Sequence, residues 1–127
     1  MERSSLTECD PAEAADGVYL TLLAGTESMN VQHFEIQPGA VVEAHSHPND
    51  QTGFLYEGEL VFRIGGGGDS EGEGEDEDER EEVVCGPGDS YAIPGEERHA
   101  VENRGDVVAR GVDIFSPPRE APSWARE

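Results

Sequence analysis

Three histidines and one glutamine are spaced so that they could hold a single metal ion. His45 and His47 are two residues apart, Gln51 follows them, and His99 lies far along the chain. Side chains at positions i and i+2 of a β-strand point to the same face, so His45 and His47 can bind one ion from one strand. Gln51 has the same parity and can reach the ion after a bend at Pro48, and a closed barrel could bring His99 opposite. Three imidazoles and an amide oxygen suit one divalent transition metal (Ni, Fe, Mn, Zn or Co), with positions left open for water or substrate.

A structural interpretation of these histidines is also open. A single histidine is more often a surface or core residue than a metal ligand, and a His-x-His pair arises by chance. Three of the four histidines of the chain nevertheless fall at positions that could converge, which favours the metal site. We interpret the fourth, His33, as an ordinary strand residue or as one that supports the metal ligands from behind.

A second group of chemically capable side chains lies near the C-terminus. Asp113 and Phe115 alternate with Val112 and Ile114, so Asp113 and Phe115 share one face of a predicted strand. If that face points into a barrel, a carboxylate and an aromatic ring flank the metal, and Arg119 can hang over the mouth. A guanidinium is the preferred planar partner of a carboxylate. The alternatives are a hydrogen-bonding residue at a strand end, a core aromatic and a surface base.

Short strands are predicted to position these residues. The chain has 16 Gly and eight Pro, which disfavours long helices and favours strands joined by turns. The fold class is predicted to be all-β, a sandwich or barrel, in a single domain of residues 1–127 with its core at about 18–116. Tyr91 is a further residue that could line the interior of such a barrel. The nine predicted strands are 18–24, 29–37, 41–47, 53–55, 60–64, 82–85, 90–94, 98–103 and 107–115, after an irregular arm at 1–17.

Residues 65–82 form a Gly-rich and acidic segment. Four glycines open it, and the tract 69–82 holds ten acids and one Arg. Blocks of like charge repel and stay solvated, which predicts an extended hairpin loop. A loop that binds cations or a partner is the alternative.

The charge of the whole chain is strongly acidic. It has 29 acids against eight bases, all of them Arg, and a net charge of −21. Such self-repulsion destabilises a compact protein in dilute buffer, whereas molar salt shortens the screening length to about 3 Å. We therefore expect a protein from a halophile. Nucleic acid and anionic membranes are excluded as expected partners, because no basic patch is visible.

The compartment is predicted to be the cytoplasm. Cys9 and Cys85 are the only cysteines, and two cysteines so far apart indicate no disulfide framework. The first 17 residues lack the apolar region of a signal peptide.

Two segments resemble the two motifs of the cupin superfamily. They read G-x5-H-x-H-x3-Q-x6-G at residues 39–58 and G-x5-P-x4-H-x3-N at residues 88–103. The resemblance implies a cupin double-stranded β-helix, or jelly-roll barrel. Two departures stand out: Gln51 replaces the usual Glu ligand, and Gly95 comes one place early after Pro94. Without the charge of a Glu ligand, the metal is a stronger Lewis acid and supports a higher oxidation state less well.

The tail D-x-F-S-P-P-R-E at 113–120, together with H-S-H-P at 45–48, resembles the small pectin-degradation cupins of the KdgF type. That family opens the ring of 4,5-unsaturated uronates released from pectin or alginate and gives linear keto-uronates. The resemblance implies a small anionic, sugar-derived substrate and three active-site residues, Asp113, Phe115 and Arg119. The metal ligands that it implies are His45, His47, Gln51 and His99.

Two other functions remain open at this point. A metal-dependent dioxygenase on a small organic substrate is one, and a non-catalytic module that binds a sugar or another small ligand is the other. Val112 and Ile114 face away from the predicted barrel interior and need cover. The N-terminal strand could supply it, or a second copy of the chain in a homodimer.

Overall fold

The structure is a computed structural model that describes residues 1–65 and 81–119. Over this part of the chain it is almost entirely β, as the sequence predicts, with a short 3-10 turn at Leu6–Glu8. None of the described helical structure is long and apolar enough to cross a membrane. The strands are β1 (Ala12–Ala15), β2 (Val18–Gly25), β3 (Asn30–Ile36), β4 (Val41–His45), β5 (Asp50–Glu57), β6 (Leu60–Ile64), β7 (Glu81–Cys85), β8 (Ser90–Ile93), β9 (His99–Glu102) and β10 (Ala109–Ser116).

The described strands form two antiparallel sheets. The six-stranded sheet has the order β1-β2-β3-β10-β5-β8, and the four-stranded sheet has the order β4-β9-β6-β7. Apolar side chains from both sheets share one core, in which Phe34 and Leu55 of the first sheet join Leu60 and Phe62 of the second. Each of the four is at most 3% exposed. Burial of one such side chain contributes about 1.5–3 kcal/mol, so the core holds the two sheets together.

The strand β10 lies in the middle of the six-stranded sheet, between β3 and β5. Asp113 stands opposite Gln32 of β3 and Gly53 of β5. Burial alternates along β10, so that Asp113 and Phe115 point to the interior and Ile114 points outward. The structure thus confirms that Asp113 and Phe115 share the inner face.

Two strand predictions need correction. Residues 1–17, expected to be irregular, contain β1, which pairs with β2. The strand is only four residues long, and only alternate residues are partly buried. Its sequence therefore shows only a weak alternation of apolar and polar side chains. The strand predicted at 53–55 extends over Asp50–Glu57. The sequence predicts it too short because Gln51 and Gly53, which are not apolar side chains, occupy the inner face beside Leu55.

The acidic segment predicted as a loop at 65–82 lies outside the described residues except at its ends. Its two ends are Gly65, which follows β6, and Glu81–Glu82, which open β7. The strands β6 and β7 pair in antiparallel register, with Ile64 opposite Glu81. The strands on either side of this segment are therefore paired, and the predicted loop between them stays a prediction.

Candidate metal centre

The imidazoles of His45, His47 and His99 converge inside the barrel. His45 ends β4, His47 follows it by two residues, and His99 begins β9 directly opposite His45. One ring nitrogen from each histidine lies within 4.8 Å of the others. The structure therefore brings together three donors that are up to 54 positions apart in the chain, as the sequence predicts.

Each of the three rings is held by a backbone carbonyl two residues away. A carbonyl oxygen can only accept a hydrogen bond, so Nδ1 carries the ring proton in each case and Nε2 keeps its lone pair. This is the arrangement that fixes metal-binding imidazoles in other proteins. The carbonyls belong to Glu43 for His45 (2.9 Å), Asn49 for His47 (3.2 Å) and Glu97 for His99 (2.9 Å).

The side chain of Gln51 completes the donor set. It lies on the inner face of β5, and its Oε1 is 3.1 Å from Nε2 of His47. When Nδ1 of His47 donates to the backbone, both atoms present lone pairs that a cation could accept. Two ligands at right angles, each about 2.1 Å from one ion, lie about 3 Å apart, which fits the observed distance. The residues present therefore fit a divalent metal.

Burial keeps the three imidazoles neutral, which is the form that binds metals. Desolvation lowers the pKa of His45 and of His47. It lowers the pKa of His99 to about 4, and the two neighbouring imidazoles add to the effect. The cluster is consequently free of competing protons at neutral pH.

A buried carboxylate lies beside the donor set. Asp113 is 7% exposed, and Tyr91 donates a hydrogen bond of 2.6 Å to its Oδ1. Burial raises the pKa of Asp113 to about 6, against the opposing effects of the hydrogen bond from Tyr91 and of the nearby Gln51 amide and Arg119 guanidinium. Burial and the nearby carboxylate also raise the pKa of Tyr91, so the phenol keeps its proton and donates.

The bond between Tyr91 and Asp113 crosses a glycine. Gly53 of β5 stands directly between Asp113 of β10 and Tyr91 of β8 in the sheet register. A Cβ at position 53 would overlap both the phenol of Tyr91 and the carboxylate of Asp113. The sequence predicts Tyr91 as a lining residue but carries no signal for Gly53, because the role of this glycine depends on the register of three strands.

Arg119 lies over the aromatic ring of Phe115, with its guanidinium carbon 5.4 Å from the ring centroid. The ring of Phe115 is 1% exposed and packs edge-on against His47. Asn30 accepts a hydrogen bond from the backbone N–H of Arg119 and donates one to its carbonyl oxygen, which fixes this residue over the site. Burial lowers the pKa of Arg119, while Asp113 opposes that effect.

The guanidinium of Arg119 forms no ion pair with any described residue, whereas Arg63, Arg104 and Arg110 all do. A partly buried cation without a fixed anion is suited to an anionic ligand. The sequence likewise carries no signal for Asn49, whose amide donates a hydrogen bond of 2.7 Å to the carbonyl of Pro117 and ties the chain after β10 to the site.

These side chains surround a cavity of about 400 Å³. One part of its wall is polar and carries His45, Gln51, His99, Asp113 and Arg119. The remainder of the wall is largely apolar. Its lining includes Ala14, Val18, Leu20, Phe34, Ile36, Val42, Leu60, Phe62 and Val101.

His33 takes no part in this site. It lies on β3 between the inward-facing Gln32 and Phe34, and therefore points to the opposite face of the sheet. There its Nε2 is 2.7 Å from the hydroxyl of Tyr56. The suggestion that His33 supports the metal ligands is wrong, and its interpretation as an ordinary strand residue stands.

Comparison of this chain with known proteins identifies one matching family, one relative by sequence and several solved structures of similar fold. The family described as "Cupin domain" matches residues 32–115. The tetracenomycin polyketide synthase protein TcmJ of Streptomyces glaucescens is 35% identical over 94 residues, which are 73% of this chain and 54% of that protein. The chain thus spans about half the length of the curated relative that it matches.

The solved structures are similar in fold at low sequence identity. KdgF from Halomonas sp. has a TM-score of 0.76 and 21% identity, covering 94% of this chain and 96% of that one. An RmlC-like cupin from Shewanella frigidimarina has a TM-score of 0.75 and 20% identity, covering 94% of both chains. A predicted oxalate decarboxylase from Thermotoga maritima has a TM-score of 0.70 and 17% identity, covering 91% of this chain and 98% of that one.

Proposed function

The chain belongs to the cupin family, and from this premise we propose that it is a metal-dependent, non-redox acid–base enzyme that opens the ring of 4,5-unsaturated uronates. One observation carries the proposal: a set of metal donors, a buried carboxylate and the guanidinium of Arg119, which has no ion-pair partner within residues 1–65 and 81–119, share one cavity. His45, His47, Gln51 and His99 would hold the metal. The bound ion would polarise a substrate oxygen and stabilise the negative charge that develops on it.

Arg119 is assigned to binding the uronate carboxylate. Its guanidinium can donate two parallel hydrogen bonds to a carboxylate, and its backbone is fixed by Asn30. Phe115 supports this arrangement from beneath. Because Phe115 is 1% exposed, it serves as a platform for Arg119 rather than as an open face for the sugar ring.

Asp113 is assigned to proton transfer. In the ring-opening step the anomeric hydroxyl gives its proton to the carboxylate, the carbonyl at C1 forms and the bond between C1 and the ring oxygen breaks. The released oxygen is then the oxygen of an enolate at C5, and return of the same proton from Asp113 to C4 gives the ketone. Electrons are not gained or lost overall, so the step needs no redox cofactor. A pKa of about 6 suits a group that both accepts and returns a proton near neutral pH.

An assay with unsaturated uronate tests this proposal. Metal-loaded protein in molar KCl should remove the absorbance of the unsaturated ring, and NMR should show the linear keto-uronate. Protein treated with a chelator is the control. Oxygen uptake by the iron-loaded protein would favour a dioxygenase instead. Tight binding without turnover, retained when Asp113 is replaced, would favour a binding module.

A second candidate substrate class is an aromatic or polyketide-derived molecule. The largely apolar wall of the cavity favours it, and the curated relative is a polyketide synthase protein. The same groups would then transfer a proton on an enolic or carboxylate substrate. Naphthol-carboxylate analogues that bind tighter than a uronate by calorimetry would favour this candidate over the first.

We also propose that the protein is a homodimer. Phe54, Tyr56 and Ile114 are 44%, 45% and 39% exposed on the outer face of the six-stranded sheet, where Arg110 already pairs with Glu35 and Glu57. A second copy would cover these apolar groups. Light scattering in molar salt should give twice the chain mass, and Ile114→Asp should give the monomer; a monomeric wild type contradicts the proposal.

A further inference from the structure

Two connections between the sheets carry histidines of the candidate metal centre. The first connection, residues 46–49, joins β4 of the four-stranded sheet to β5 of the six-stranded sheet. The second connection, residues 94–98, joins β8 of the six-stranded sheet to β9 of the four-stranded sheet. His47 lies within the first, and His99 directly follows the second. Because His47 lies beyond the paired part of β4, its position relative to His99 depends on how the two connections are joined.

Two backbone hydrogen-bond donors of the second connection join it to the first connection and to the residue after it. The backbone N–H of Glu96 donates a hydrogen bond of 2.7 Å to the carbonyl oxygen of His47. The backbone N–H of Gly95 donates one of 2.8 Å to Oδ1 of Asp50, the first residue of β5. The two donors are consecutive, and their acceptors lie at the two ends of the segment 47–50. Together they fix both the distance and the tilt between the connections.

The close approach of the connections requires a residue without a side chain at position 95. A Cβ there would overlap the backbone carbonyl oxygen of Pro48, which cannot rotate away as the end of a long side chain could. The φ angle of Gly95 is not in the left-handed region. Space, and not backbone conformation, is therefore the reason for glycine at this position.

The next residue has the opposite requirement. Glu96 has a φ of 72°, which is the left-handed conformation that glycine adopts without strain. Position 96 is also where the usual second cupin motif has its glycine, one place later than in this chain. The chain thus has glycine where the two connections touch and a strained glutamate where the turn by itself favours glycine.

We propose that Gly95 and Asp50 are positioning residues of the metal centre, which hold the two connections together and thereby set the distance between His47 and His99. Gly95 allows the close approach, and Asp50 accepts the hydrogen bond that maintains it. Both act through the histidines. The displaced glycine of the second motif follows from this contact, because a turn that needed only the left-handed conformation would place its glycine at position 96.

Titration of the apo protein with Co²⁺ alone tests the proposal. Gly95→Ala should bind Co²⁺ about 10- to 100-fold more weakly than wild type, and the visible spectrum of bound Co²⁺, which reports the geometry of its ligands, should change. Gly86→Ala is the matched control, because Gly86 lies in the turn before β8, has no left-handed φ and would meet no atom within 4 Å of an added Cβ. Its affinity and spectrum should equal those of wild type.

Variants of Asp50 test the same contact without adding an atom. Asp50→Ala removes the acceptor of Gly95 and should weaken Co²⁺ binding by a smaller factor than Gly95→Ala does. Asp50→Asn keeps an oxygen that can accept this hydrogen bond, so it should have the affinity and spectrum of wild type. Molar KCl screens the lost charge in both variants. The free energy of unfolding of each apo variant is measured in parallel, and a change in stability with an unchanged spectrum would contradict the positioning role.

A double variant separates space from backbone conformation. Glu96→Gly alone should bind Co²⁺ as wild type does, since it keeps the backbone N–H that bonds to His47 and adds no atom. Gly95→Ala with Glu96→Gly has the usual order of the motif but still places a Cβ against Pro48, so it should bind as weakly as Gly95→Ala. Wild-type affinity in the double variant would overturn the proposal. So would unchanged affinity and spectrum in both Gly95→Ala and Asp50→Ala.

The proposal rests on the metal site of the proposed function but not on its substrate. A wild-type protein that binds no Co²⁺ would overturn the proposal together with the metal site. The expected pattern of Co²⁺ affinities in a protein that leaves unsaturated uronates intact would support the proposal and remove only the proposed substrate.

Discussion

His45 and His99 are direct cross-strand partners in the pair formed by β4 and β9, and their ring centroids are 4.5 Å apart. Residues directly opposite in neighbouring strands are the closest pairs that a sheet can make. His47 then joins them from the segment after β4, with its ring 5.2 Å from that of His99. The donor set is thus built on a strand pair, and strand ends hold side chains more firmly than long loops do.

The first prediction concerns the ligands. Replacing His47 with alanine removes one of three clustered nitrogens, so we expect loss of stoichiometric metal by elemental analysis of the purified protein. His33→Ala is the matched control, because His33 is equally a buried histidine but lies on the other face of the sheet, and it should retain full metal. Full occupancy in His47→Ala would contradict the proposed site.

The second prediction concerns Asp113. Asn at this position cannot accept the substrate proton, and loss of a general base lowers turnover by about 10²–10⁴-fold. We expect kcat for uronate opening to fall by that factor at saturating metal, measured with metal content checked in the same sample. Undiminished turnover in this variant would remove Asp113 from the reaction.

The third prediction concerns the guanidinium over the site. A hydrogen bond to a charged group contributes about 1.5–3 kcal/mol, which corresponds to roughly a 10- to 100-fold rise in KM when it is lost. Arg119→Gln should show this rise with uronate substrates, and metal affinity should persist. Arg104→Gln removes an arginine that pairs with Glu82 and Glu102 on the surface. Its KM should equal that of wild type, and an equal rise in both variants would indicate a general charge effect.

The fourth prediction is a pH dependence of stability from His33. Burial lowers its pKa below the usual 6.5, Glu35 opposes this effect and Arg110 adds to it. The unfolded chain therefore takes up the proton first as the pH falls below about 6.5, and folding stability from this group is present above that pH and lost below it.

His33→Gln tests this dependence, since glutamine can also bond to Tyr56. With chelator present, the loss of unfolding free energy between pH 7.5 and 5, measured by denaturant titration, should be smaller in the variant than in wild type. The other histidines titrate alike in both proteins. Identical losses would show that His33 does not contribute.

The fifth prediction concerns salt. The net charge of −21 opposes compaction, so the free energy of unfolding should rise as KCl increases from 0.1 to 2 M. A variant with serine in place of the eight acids between residues 69 and 79 keeps 21 of the 29 acids. It should retain most of the salt dependence. Loss of the dependence in that variant would assign it to the tract alone.

Much of the fold followed from local patterns. Alternation along 107–115 was enough to place Asp113 and Phe115 on one face, because the two-residue period of a strand is a local property. The strand β1 was missed because Ala12–Ala15 buries little apolar surface and lies in a polar segment. β5 was predicted too short because its inward positions include Gln51 and Gly53, which are residues that the site requires and an apolar pattern does not reveal.

By itself, the sequence determined the all-β class, the four candidate metal ligands and the acidic character of the chain, since these depend on residue types and short spacings. Only the tertiary structure decided that His33 faces away from the cavity, that Tyr91 reaches Asp113 across Gly53, and which end of the Gln51 amide faces the imidazoles. The physical reason is strand register. Which residues meet across a sheet is set by long-range pairing and packing of the whole barrel, and no spacing within one strand contains that information.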